Sequence, residues 1–164
     1  MLLPQYRTIL YCTGLADGTS FAARHALSLA KQTGADLHIL HVAEPLSRDA
    51  MMTIETYLTG FTSRTDFDKQ RAERAKEVMH RRLEAIWEKT KETDPDLSKY
   101  VKSVEVAESH VAEEILTRSK ALDCDLIVMG MHQKGRSRAL LGSVSKQVVQ
   151  LSRIPVLLIP LYGN

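Results

Sequence analysis

The sequence predicts a doubly wound α/β fold: three layers, with a five-stranded parallel sheet in the order 3-2-1-4-5 between helices. Two observations carry that reading. Short apolar runs alternate with amphipathic stretches along the chain, the pattern of βα units. The first, second, fourth and fifth runs are apolar almost throughout, as strands covered on both faces must be. Right-handed crossovers and one reversal after the first strand then give the order.

The elements follow in sequence. Residues 6–13 (YRTILYCT) form the first strand. Residues 19–33 form a helix with Ala22, Ala26, Leu29 and Ala30 on one face, and Gly34 stops it. Residues 36–42 (DLHILHV) are the second strand. Residues 44–64 are irregular; Ile54, Tyr57, Leu58 and Phe61 fall at helical spacing and predict a short helix lying over the ligand crevice. Residues 65–92 form a long charged helix with Ala72, Ala75, Met79, Leu83 and Ile86 inward, broken by Asp94-Pro95-Asp96. Residues 101–106 (VKSVEV) alternate, which predicts a half-exposed edge strand. A helix over 110–122 turns Val111, Ile115 and Leu122 inward, and 126–130 (LIVMG) is the fourth strand. The last helix, 143–151, has Val144, Val148 and Leu151 on one face, and 156–159 (VLLI) is the fifth strand. The chain shows no internal repeat and no low-complexity tract, so one domain over residues 1–164 is expected.

Composition excludes several functions. A net charge of +2, with no long basic block, gives no footing for nucleic acid or an acidic membrane. No apolar run approaches the ~20 residues that span a bilayer, and the first residues, MLLPQYRTIL, lack the features of a leader, so a cytoplasmic location is expected. Cys12 and Cys124 fall at opposite ends of neighbouring strands. About 16 Å then separates their levels, too far for a disulfide, and both read as buried small hydrophobes.

In such sheets the ligand sits beyond the carboxyl ends of the strands, where the order reverses. That point lies between Cys12-Thr13-Gly14 and Gly130 onward. Residues 130–137 read G-x-x-x-x-G-R-S, one substitution from a phosphate-cradling P-loop. The context rejects that reading. The lysine is Arg136, the helix begins only after Gly142, and Asp125 opens its strand instead of ending one that could hold magnesium. A different anion site survives: Gly142-Ser143 opens a helix at the crevice, Ser143 and Ser145 add hydroxyls, Gly130 permits close approach of a ligand, and Lys134, Arg136 and Arg138 make the loop basic. The alternative is a hinge glycine, a serine cap and a solvated basic loop. From these residues alone both remain open.

Ile9-Leu10-Tyr11 with Thr13, Leu40-His41-Val42, the run from Asp125 to Gly130, Leu141-Gly142-Ser143-Val144-Ser145, and Ser152 to Leu157 together resemble the universal stress protein family over essentially the whole chain. The resemblance implies an adenine nucleotide alpha hydrolase-like fold and a homodimer through Val156–Leu161. It also implies ATP or another adenine nucleotide, with Mg2+, in the crevice. Its signature is Gly, two residues, Gly, nine residues, then Gly-Ser or Gly-Thr. Gly130 matches the first glycine, and Gly142 and Ser143 match the pair that holds phosphate, followed by Val144 and Ser145. Thr13 and Val42 match the adenine and ribose side; Met129 and Met131 flank the pocket. Cys12, Gly14, His132, Gln133 and Arg136 complete the predicted nucleotide-binding set.

Three departures bear on function. Gln133 stands where the second signature glycine falls, the loop from Gly130 to Gly142 is one residue short, and Gly14 occupies a position where ATP-binding members commonly carry Asp. Gly135 restores some freedom if the loop shifts register. His41 and His132 have no carboxylate or cysteine at ligand spacing, so no metal site is expected. No nucleophile–base pair emerges, and Glu113-Glu114 suits the first turn of its helix. The expected function is a non-enzymatic stress-response or regulatory dimer that binds adenine nucleotide. The alternatives are an interaction module with a degenerate crevice and, behind it, a slow ATPase or adenylyl-transfer enzyme.

Overall fold

The computed structural model describes residues 3–15, 19–57, 64–132 and 141–161. Five parallel strands form one sheet in the order β3-β2-β1-β4-β5: β1 Thr8–Cys12, β2 Asp36–Ala43, β3 Val101–Glu108, β4 Leu126–His132 and β5 Val156–Leu161. The helices are α1 Thr19–Thr33, α2 Arg48–Tyr57, α3 Arg64–Thr90, α4 Val111–Ala121 and α5 Ser143–Leu151. A short 3-10 turn, Leu97–Tyr100, leads into β3.

Strand alternation sorts the core into two halves. Ile9, Tyr11, Leu37, Ile39 and Val128 face α1 and α3, where Ala22, Ala26, Ala30, Met79, Leu83 and Ile86 are buried. Leu10, Cys12, Leu40, Val42, Ile127 and Met129 face α4 and α5, where Ala112, Ile115 and Val148 meet them. The alanine stripe of α1 brings its backbone close to the sheet. Gly34, at φ +71°, ends that helix in the left-handed conformation glycine adopts without cost.

The sheet is closed at its centre from both chain directions. At the lower end of β1 the Asp125 carboxylate accepts the N–H groups of Arg7 (2.7 Å) and Thr8 (3.0 Å). The Asp125 N–H in turn donates to Thr8 O (2.9 Å). These bonds take the amides of residues 7 and 8, and the strand proper starts at Thr8, two residues later than its apolar run suggests.

The fold differs from the sequence reading in several further places, β3 among them, which runs on to Glu108. β4 and β5 each run two residues further, because their ladder continues through Met131–Pro160 and His132–Leu161. Pro160 is tolerated there because β5 is an edge strand. In α2 the inward residue is Met51; Tyr57 is 78% exposed, and Leu58 and Phe61 lie outside the described residues. No residue of α2 lines the crevice. In α5, Ser145 and Val148 are buried while Leu151 is 64% exposed, because the helix face toward the sheet is set by positions 145 and 148.

Candidate functional site

Where the sheet order reverses, an open cleft of about 590 Å3 is present. Its volume falls in the range of small-molecule sites, about 300–1,000 Å3. Each wall comes from a different element. The end of β1 supplies Tyr11, Cys12, Thr13 and Gly14; β2 supplies Leu40 and Val42; α4 supplies Val111 and Ile115. Met129 and Gly130 come from β4, and Leu141 to Ser145 from the start of α5. Thr19 and Leu161 complete it.

Ten predicted site residues therefore meet around one space: Cys12, Thr13, Gly14, Val42, Met129, Gly130, Gly142, Ser143, Val144 and Ser145. His132 belongs to β4 and pairs with Leu161. Gln133 and Arg136, with Lys134, Gly135 and Arg138, lie outside the described residues. Met131, two residues beyond Met129, does not line the cleft.

The β1 rim is held by its neighbours. The Thr13 N–H donates to Leu40 O (2.9 Å), extending the parallel ladder one residue past β1. His41 Nδ1 donates to Thr13 O (2.9 Å), so the histidine is a brace for the rim and not a packing residue alone. The Thr13 hydroxyl donates to Gly14 O (2.8 Å). Below the rim, the Tyr11 hydroxyl donates to Thr19 O (3.0 Å).

The opposite rim is the start of α5. Gly142 is its N-cap residue, in extended conformation, with no side-chain cap, and Lys146 N–H closes the first helical bond to Gly142 O (2.9 Å). The first N–H groups of a helix have no partner within it, and the dipole adds positive potential there. A side-chain carbon at Gly142 would meet nothing within 4 Å among the described residues.

Gly130 has a different reason to be glycine from the one its sequence position suggests. A side-chain carbon there would come within 2.7 Å of Leu161 Cδ1 and 3.1 Å of Leu161 Cγ. Leu161 from β5 thus lies over Gly130, and the close neighbour is the chain itself.

Two titratable side chains at the cleft, Tyr11 and Cys12, are buried. Burial pushes the Tyr11 phenol up to about 12 and drives the Cys12 thiol far above its ordinary value. Neither is a nucleophile at neutral pH. Among the described lining residues none is His, Asp, Glu, Lys or Arg. Among the described residues no group of three His, Cys, Asp or Glu side chains is placed for a metal ion, and no helix is long and apolar enough to cross a membrane.

Sequence reasoning missed Tyr11, Thr19, Leu40, Val111, Ile115, Leu141 and Leu161. Leu40 shares a strand face with Val42, so period-two alternation was the available signal. Leu161 carries none, since it reaches the cleft only through the missing side chain at Gly130.

The sequence matches the model of the Universal stress protein family over residues 5–160. It is 34% identical over 149 residues to universal stress protein YxiE of Bacillus subtilis (strain 168), covering 87% of this chain and 93% of that protein. The fold is similar to universal stress protein UspA from Lactobacillus plantarum (TM-score 0.63, 18% identity, 96% of this chain and 99% of that one). It is also similar to a universal stress protein solved in complex with cAMP (TM-score 0.59, 15% identity, 97% of this chain and 100% of that one). With a matching family model over nearly the whole chain and a relative at this identity, the chain belongs to the universal stress protein family.

Proposed function

We propose that this protein binds an adenine nucleotide in the cleft and acts as a non-enzymatic regulatory homodimer in the cytoplasm. The observation that carries the reading is the start of α5, Gly142 to Ser145, lining one cleft together with the apolar wall of Cys12, Leu40, Val42 and Ile115. Phosphate sits at Gly142-Ser143, where helix N–H groups and two serine hydroxyls are available. Adenine sits between β1 and β2, near Thr13 and Val42. The cAMP complex of a relative in fold supports this class of ligand. Gly14 offers no side chain to the sugar, so affinity rests mainly on phosphate; Mg2+, where present, arrives with the nucleotide. No group among the described lining residues has the acidity to move a proton at neutral pH, which favours binding over turnover. The dimer forms through Val156–Leu161, because β5 is an edge strand with Leu157 exposed, and pairing hides such an edge.

The test is calorimetric titration of ATP and of AMP into wild type and Gly142→Val. Among the described residues nothing lies within 4 Å of the new side chain's first carbon, so the variant folds; on this reading the side chain stands where the phosphate would bind. Loss of a charge-assisted contact costs about 1.5–3 kcal/mol, roughly ten- to hundredfold in affinity. Equal binding by the variant overturns the phosphate position. Absence of binding to wild type at millimolar nucleotide overturns the reading in favour of an interaction module.

A further inference from the structure

β1 and β2 pair from Thr8–Asp36 to Cys12–Leu40. On β2 the even-numbered residues turn their peptide groups toward β1. The Asp36 N–H donates to Arg7 O (2.8 Å), and Leu40 O accepts the Thr13 N–H (2.9 Å). The odd-numbered residues turn toward β3, as Ala43 O does in accepting the Ser109 N–H (3.1 Å). In a parallel ladder, a residue that donates to one residue of its neighbour accepts from the residue two further on. Thr13 donates to Leu40, so a continued ladder would bring the Val42 N–H to its carbonyl. The Thr13 carbonyl accepts from His41 Nδ1 instead (2.9 Å). Among the described residues the Val42 N–H makes no hydrogen bond.

Val42 lines the cleft and is only 9% exposed, and a residue so buried seldom leaves its N–H unpaired. His41 acts on it from behind. Leu40 and Val42 belong to the core half under α4 and α5, so the His41 side chain starts from the other face of the sheet, and it does not line the cleft. We propose that His41 is a positioning residue of the cleft: by taking the Thr13 carbonyl out of the ladder, it keeps the Val42 N–H free as a donor to an acceptor on the ligand. This inference rests on the nucleotide reading above, on which the acceptor is a ring nitrogen of the base. The side chains of Leu40, Val42 and Ile115 beside it are aliphatic and make no hydrogen bond, so a ring lying there takes its orientation from the backbone.

The experiment uses AMP as the probe and reads amide exchange by NMR beside affinity by calorimetry. In ligand-free wild type the Val42 amide should exchange faster than that of Leu40, which lies within the β1–β2 register. At saturating AMP the Val42 amide should shift and gain protection. His41→Leu removes the competing donor and leaves the Thr13 carbonyl to the Val42 N–H. In that variant the Val42 amide should be protected without ligand, a change that loss of packing alone would not produce. Its AMP affinity should fall about tenfold, the worth of one hydrogen bond. His41→Gln keeps an N–H donor and should recover part of both effects. His38→Leu is the control: His38 lies on the same strand and bonds Ser103 Oγ (2.8 Å), but it does not line the cleft, and the variant should stay within twofold of wild type. A Val42 amide already protected in ligand-free wild type, one unmoved by saturating AMP, or His41→Leu within twofold of wild type overturns the proposal while leaving nucleotide binding intact. Wild type that binds neither AMP nor ATP overturns the nucleotide reading and this proposal with it. Should His41→Leu not fold, the wild-type Val42 amide with and without AMP decides between the same outcomes.

Discussion

Replacing Gly130 by alanine separates two reasons for a glycine at the mouth of the cleft. If the residue is small to admit a ligand, the substitution leaves the ligand-free protein unharmed and lowers affinity. The geometry predicts the opposite order. The new methyl would stand 2.7 Å from Leu161 Cδ1 and 3.3 Å from Leu161 Cδ2, so Leu161 must turn out of its site. Leu161 is only 5% exposed and packs in the core half beneath α1, so it has little room to move. Overpacking of this kind costs about 1–3 kcal/mol. Leu161→Ala alone removes a buried side chain and costs about 2–5 kcal/mol. In the double variant the alanine methyl at 130 occupies space that Leu161 vacates, so the two losses should fall short of their sum by about 1–2 kcal/mol. Equilibrium urea unfolding of the four proteins, without nucleotide and at one protomer concentration, measures that coupling. A Gly130→Ala protein as stable as wild type, or losses that simply add, would show that Leu161 does not set the size limit at 130.

Other consequences are equally direct. Because burial holds the folded Tyr11 phenol at about 12 against an ordinary 10.0, its contribution to stability is complete below pH 10 and is lost as pH rises toward 12. Tyr11→Phe should flatten that alkaline decline and cost about 1 kcal/mol at pH 8 for the lost bond to Thr19 O; an unchanged slope in urea titrations from pH 9 to 11 refutes this. Burial raises both thiols, Cys124 to about 11, so Cys12 and Cys124 should react with a disulfide reagent at pH 8 on the order of a hundredfold more slowly than a free thiol, until urea exposes them. Rapid modification of the native protein would contradict their burial. Leu157→Lys places a charge on the exposed edge of β5 and should convert the dimer to monomer in sedimentation at micromolar concentration; wild type already monomeric there rules out the proposed assembly.

The sheet order was legible because it depends on periodicity and on a few topological rules, both of which are local or nearly so. Helices α1 and α5 begin and end where Thr19, Gly34, Gly142 and the break after Leu151 suggest. The ends of β4 and β5 were not, since Met131 pairs with Pro160 through a ladder that no single run reveals. In the cleft, most residues announced by position at strand ends or helix starts were found, from Cys12 to Ser145, though not Val111. Those announced only by a distant partner were not. Gly130 looks the same in sequence whether a ligand or Leu161 lies over it. Arg82 reads as one more charge on α3, although its partners sit 63 to 68 residues earlier. Leu151 misled because an apolar residue at helical spacing need not face the sheet when the helix is short and near an edge strand.

The position of β1 in the middle of the sheet sets the order in which the protein can come into being. Its first neighbour, β2, follows within 24 residues, but its second, β4, begins at Leu126, and the Asp125 carboxylate that caps its lower end is made just before that. A nascent chain therefore carries the most buried strand of the molecule with one flank unpaired until about three-quarters of these residues have been synthesised. Pairing across so long a separation is slow, and such an exposed apolar edge is a site for misassociation or for a chaperone. The cleft comes later still, since it needs α5 and Leu161. A ligand in that cleft cannot guide early folding; it can only act on a chain whose last strand is already in place.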